Sequence, residues 1–164
     1  MTAVRPGADV PIEARAFQGH RAGVVTRCLA GALDYLVVLV ILCLLWLGWA
    51  ALGYLLARNG FSLPAPSLAI GLIVGFWVEV VYLTASWATT GRTYGNQVMG
   101  LRVVNLHGRR MRWAGALTRA LLVAVFPLGL LWAAVSRRNR SVQDVILHTS
   151  VIYDWTSQPE PQRE

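Results

Sequence analysis

Two stretches decide what this chain can become. Residues 27–57, "RCLAGALDYLVVLVILCLLWLGWAALGYLLA", carry no charge after Asp34, and residues 66–90 carry only Glu79. The hydrocarbon core of a bilayer is about 30 Å thick and needs roughly 20 apolar helical residues to cross it. Both runs meet that length, and neither alternates wet and dry faces as a helix at a water-bathed surface would. Composition agrees: 55% of the 164 residues are hydrophobic and only 14% are charged, outside the usual soluble balance. The expected class is an all-α membrane protein of one domain with two full spans. A third run, 117–136, is shorter and is interrupted by "FPLG" at 126–129.

Arginine placement orients these runs. All 15 basic residues are arginine, and the net charge is +7. On a soluble domain that charge would point to nucleic acid. Here the arginines flank apolar segments, and no aromatic-studded basic module accompanies them, so nucleic acid is not expected as a partner. Arg5, Arg15, Arg21 and Arg27 precede the first run, and Arg58 alone lies in the first connection. Arg92, Arg102, Arg109, Arg110, Arg112 and Arg119 follow the second run without one acid. The positive-inside rule then places the N-terminus and the second connection in the cytoplasm of a cell with an inner membrane.

The third run conflicts with that rule if it crosses. Arg137, Arg138 and Arg140 would then lie outside. The halves on either side of Pro127-Leu128-Gly129 reach about 12–15 Å as helix, enough for mid-depth only. A re-entrant hairpin broken at the proline and glycine is the expectation, and a plain third span is the alternative. Two β-like pieces, "LRVVNLHGRRMRW" from Leu101, with His107-Gly108 as a turn, and "TSVIYDW" from Thr149, form a small cytoplasmic patch. They can pair only if the C-terminal end returns to the side of the second connection.

Three further motifs resemble a known family. "RCLAGALD" places an arginine and an aspartate at the mouth of the first span. "GRTYGNQVMGLRVVNLHG" is similar to the signature T-x-G-K-x-x-x-G-[LI]-R-V-V, and "RSVQDVILHTSVIYD" to the closing element. Together they resemble the RDD family of small multi-pass membrane proteins over about residues 21–154. The resemblance makes Arg27, Asp34 and Asp144 the family's polar signature. The family's Gly-Lys is Gly95-Asn96 here, which removes a positive charge. The resemblance implies fold and location, and for some members cation/proton exchange, for another an assembly role in a membrane complex. It divides the chain into a flexible cytoplasmic tail at 1–19, a membrane domain at 20–155 with spans near 27–57 and 66–90, and a polar tail at 156–164.

Asp34 needs an explanation of its own. An unpaired carboxylate at mid-membrane costs roughly 2.5–3.5 kcal/mol on insertion scales, so it must face protein or take up a proton. It shares a helix face with Arg27, about 10 Å away along the axis. Ala30 and Gly31 leave room for another helix, and Arg119 is the expected pairing partner. An ion or proton site is the alternative role. In the second run Gly71, Gly75 and Glu79 recur every four residues, close to Tyr82 and Ser86. Gly71 and Gly75 form a helix-packing face, expected to meet a second copy or another membrane protein. Glu79 is the intramembrane acidic candidate, either a step in a proton or cation path or one protonated acid hydrogen-bonded across an interface. Asp144 stands among arginines and is expected to clamp the closing element to Arg102 or Arg119. Trp46, Trp49, Trp87 and Trp155 are assigned to the two aromatic belts, and Trp113 with its neighbouring arginines to the headgroup level.

Chemistry finds little else. No nucleophile elbow, zinc-protease helix, phosphate-binding loop or dinucleotide fingerprint is present, so no enzyme activity, cofactor or metal site is expected. Cys28 and Cys43 have no C-x-x-C partner, and Arg27 directly before Cys28 excludes a lipoprotein site. The functional expectation is a protein that moves ions or small solutes as an oligomer. The alternative is an accessory or assembly factor for another membrane complex.

Overall fold

A computed structural model of the chain describes residues 19–20, 22–57, 61–105, 111–126, 144, 146–147 and 149–154. The first apolar run forms α1 (Val24–Leu56) and the second forms α2 (Leu68–Thr89). With 33 and 22 residues they measure about 50 and 33 Å at 1.5 Å per residue, and both are long and apolar enough to span a membrane. Helix α1 begins no earlier than Val24 because the backbone just before it is used elsewhere. Ala22 N donates to Val151 O and Gly19 N to Tyr153 O, while Tyr153 N donates to His20 O. Ser67 caps α2, its hydroxyl accepting from Ile70 N at 3.4 Å.

Beyond α2 the chain makes a one-turn helix α3 (Tyr94–Val98), a strand β1 (Leu101–Asn105), a helix α4 (Trp113–Val125) and a strand β2 (Thr149–Tyr153). Gly100, at φ 63°, swings the chain from α3 into β1, a backbone angle that a Cβ disfavours. The two strands pair antiparallel with Leu101 opposite Tyr153 and Asn105 opposite Thr149. The two β-like pieces of the sequence therefore lie together. Val103 and Val151 face each other at the centre of the pair and are buried.

Helices α1 and α2 run antiparallel. Tyr82 reaches Asp34 near one end, and Trp46 Nε1 donates to Pro64 O at 3.0 Å near the other. Helix α4 lies along α2, with Ala116 and Ala120 fully buried. These small side chains let the helices approach closely. The packed core sits at the sheet end of the bundle, built on Ala30, Leu83, Trp87, Val103, Ala120 and Val151. The opposite half of α1 and the start of α2 present Leu44, Leu55, Leu68 and Leu72 outward. Water would penalise that surface and a bilayer does not.

Three expectations change. Trp87 is not a belt residue: it is buried at 5% exposure in the core, whereas Trp46 and Trp49 are exposed. The third apolar segment starts as helix four residues early, at Trp113, and α4 ends at Val125. Gly75 is turned toward its own chain, because a Cβ there would lie 3.6 Å from Leu42 Cδ1 on α1, while Gly71 faces open space. The Pro127-Leu128-Gly129 break, Arg137 to Arg140, Trp155, residues 1–18 and residues 156–164 lie outside the described residues.

Candidate functional site

Two polar clusters hold the sheet end together. In the first, Asp144 is completely buried and accepts from two guanidiniums. Arg27 Nη1 donates to Asp144 Oδ2, and Arg119 Nη1 donates to Asp144 Oδ1 at 2.7 Å. Thr149 at the start of β2 joins them, its hydroxyl accepting from Arg119 Nη1 at 2.6 Å. One carboxylate thus ties α1, α4 and β2. Burial alone would raise the Asp144 pKa, but the charges of Arg119 and Arg27 outweigh it and hold the carboxyl at about 2. A second pair of arginines, Arg92 and Arg102, meets Asp154 at 2.8 and 3.2 Å. It ties the end of α2 and β1 to the residue just past β2.

The second cluster surrounds Asp34. Tyr82 Oη on α2 donates to Asp34 Oδ1 at 2.8 Å, as does the backbone N–H of Gly95 at 2.8 Å. Thr93 Oγ1 donates to Oδ2 at 2.5 Å and also accepts from Asn96 N, capping α3. Tyr94 N in turn donates to the Tyr82 oxygen at 3.0 Å. Here the T-x-G of the signature has its physical reason. Threonine supplies a cap and a donor, and the glycine brings its N–H to a carboxylate inside a helix interface. A Cβ at Gly95 would overlap the Ala30 carbonyl and lie 2.8 Å from its carbon. No other residue fits that approach.

The expected Asp34–Arg119 pair does not form. Arg119 is taken by Asp144 and Thr149, and Asp34 is satisfied by neutral donors on α2 and α3. Arg27, seven residues before Asp34, likewise turns to Asp144. The proposed tie from the closing element to Arg119 is present, and Arg102 serves Asp154 instead. Thr149 and Asp154 are site residues that no motif in the sequence singles out. Asp154, an acid just past the strand that pairs with an arginine-bearing strand, was the legible signal.

Between α1 and the α2–α4 pair lies a cavity of about 390 Å³, lined by Arg27, Asp34, Glu79, Trp87, Asn96 and Arg119 among others. Glu79 is half-buried there and makes no hydrogen bond or ion pair among the described residues. The Gly71–Gly75–Glu79 stripe is therefore split: Gly75 packs on α1, Glu79 faces the cavity and Gly71 is exposed. Asn96, where the family signature has lysine, also faces the cavity, so the missing charge is missing from its wall. Trp87 lies under Arg119, whose guanidinium carbon is 5.1 Å from the indole centre, a cation–π distance. No group of three or more metal-ligating side chains occurs among the described residues.

Comparison with known proteins adds one positive finding. The family model of the RDD family matches residues 21–148. No curated protein and no solved structure matches the chain.

Proposed function

The chain belongs to the RDD family, and on that premise we propose that it moves protons, cations or another small solute across an inner membrane as an oligomer. Membrane residence itself fits the family and the two long apolar helices. The observation that carries the transport reading is Glu79. Both signature aspartates are engaged in holding helices together, whereas Glu79 makes no hydrogen bond or ion pair among the described residues and lines a cavity that reaches Asp34, Arg27 and Arg119. An intramembrane acid that the fold does not use is a functional group by default. Two spans and α4 do not enclose a pathway, so self-association completes it. The protein acts without catalysing a reaction.

Arginine counts support an N-terminus in the cytoplasm. Pairing of β1 with β2 supports a return of the chain after α4 to the same side, hence a re-entrant third segment. A topology reporter fused after Glu164 should read cytoplasmic, and a periplasmic signal would restore the straight third span.

The test is ion-driven pH change in proteoliposomes, comparing wild type with Glu79→Gln. Flux that Glu79→Gln abolishes in a folded protein supports transport. If wild type shows no flux, the accessory or assembly reading leads. Exposed Gly71 favours that second reading, because nothing within 4 Å would meet a Cβ there and a partner helix can approach.

A further inference from the structure

Two acids line the 390 Å³ cavity, Asp34 and Glu79. Asp34 already accepts from three donors. Glu79 makes no hydrogen bond or ion pair among the described residues. The arginines of the wall, Arg27 and Arg119, both bond Asp144 and lie at the sheet end. Trp87, against which Arg119 stacks, is eight residues from Glu79 on α2, about 12 Å along the helix axis. Tyr82 meets Asp34, and Gly75 approaches Leu42. That antiparallel register puts Glu79 level with Val38, one turn beyond Asp34. A carboxylate at such depth in a bilayer must take a proton or meet a positive charge.

The rest of the wall says which kind of charge it suits. Val38, Leu83, Val103, Val123 and Val151 line the cavity, and no three metal-ligating side chains gather among the described residues. A hard metal cation takes about six or more oxygen ligands, and this wall does not supply them. A proton needs no cavity. A volume of 390 Å³, apolar walls and one unpaired charge match the sites of drug-sized molecules, which span roughly 300–1,000 Å³. Access is lateral. Cys28 and Tyr35 line the cavity, and both are exposed on the flank of α1. A cation with an apolar body dissolves in the bilayer and can enter there.

We propose that the cavity binds a monovalent organic cation with an apolar body, its charge against Glu79 and its body along Leu83 and Val123. The proposal narrows the solute of the transport reading and rests on the same carboxylate. Binding is measured without flux, so either can fail alone.

The test is equilibrium dialysis of radiolabelled tetraphenylphosphonium against purified protein in a neutral detergent at neutral pH. Tetraphenylborate, of the same shape and opposite charge, is run in parallel. Wild type should bind tetraphenylphosphonium saturably, one per chain, and should not retain tetraphenylborate. Glu79→Gln removes the charge at constant shape and should weaken binding at least about tenfold, and Glu79→Asp should recover part of that. Gly31 lines the cavity, and a Cβ there would meet nothing within 4 Å. Gly31→Phe therefore starts into open space and should abolish binding by filling it. Melting in the same detergent identifies the folded variants, and Gly31→Phe decides if Glu79→Gln does not fold. Absence of saturable binding by wild type overturns the proposal even where proton flux is measured. Equal retention of tetraphenylborate overturns the role of the charge, and undiminished binding in the folded variants overturns the site. Binding that depends on Glu79 without any flux upholds the site and removes transport.

Discussion

Replacing Asp144 by asparagine keeps the shape of the clamp and removes its charge. Two guanidiniums, on residues only 5% and 2% exposed, would then face each other with no anion between them. Removing one partner of a buried ion pair costs about 3–5 kcal/mol, because the survivor stays buried and uncompensated. The lowered Asp144 pKa has the same sign, since the charged form is the one the folded clamp favours at neutral pH. A loss of about 3–5 kcal/mol is on the order of 10 °C in melting temperature for a domain of this size. Arg27→Gln should cost less, since Asp144 then keeps Arg119. The assay is thermal unfolding of purified protein in one detergent, with the double variant closing the cycle. Coupling of at least about 0.5 kcal/mol is expected for residues in direct contact. If Asp144→Asn melts within a degree or two of wild type, the clamp reasoning is wrong.

The Asp34 cluster yields three more expectations. Gly95→Ala should lower stability by about 2–3 kcal/mol, because the new methyl meets the Ala30 backbone rather than a movable side chain; melting in detergent reads it. Thr93→Val, which loses the cap on α3 and a donor to Asp34, should cost about 1–3 kcal/mol, and Thr93→Ser should recover most of that. Tyr82→Phe should cost about 1 kcal/mol, since Thr93 and Gly95 remain on the carboxylate. The pH dependence follows from Asp144, whose folded pKa lies below its unfolded value. Its stabilisation is therefore complete above about pH 4 and is lost as pH falls toward 2. Melting temperature against pH should drop across that window in wild type, and Asp144→Asn should lack that component.

How much of this could be read in advance depended on whether the signal was local. Spans announce themselves through apolar length, and the β-branched run from Val103 is local as well, whereas the start of α1 depends on residues 151–153. Partner choice is not local either. Arg27 and Asp34 share a helix face, so proximity along α1 made them look like members of one cluster, yet their partners come from residues 144 and 82–95. The wrong Arg119 assignment arose there: four arginines and three acids gather at one end, and only the three-dimensional placement of α3 shows that Asp34 is satisfied by neutral donors. Trp87 misled for a related reason. An interfacial tryptophan and a buried one read alike in a sequence, and only the cation stacked on the ring separates them. Gly71 and Gly75 drew attention as a small-residue face, whereas the tight contact of the fold involves Gly95, with fully buried alanines at 116 and 120. Glycine at a contact is visible in sequence only when something says what approaches it.

The clamp also imposes an order on biogenesis. Arg27 enters the bilayer with the first segment, yet its carboxylate lies 117 residues later in the chain. Arg119 waits for the same acid. A nascent chain halted anywhere before Asp144 lacks the carboxylate that both guanidiniums meet in the fold, and has β1 without the strand that pairs it. Synthesis of Asp144 and of β2 is the step that completes the clamp and the strand pair.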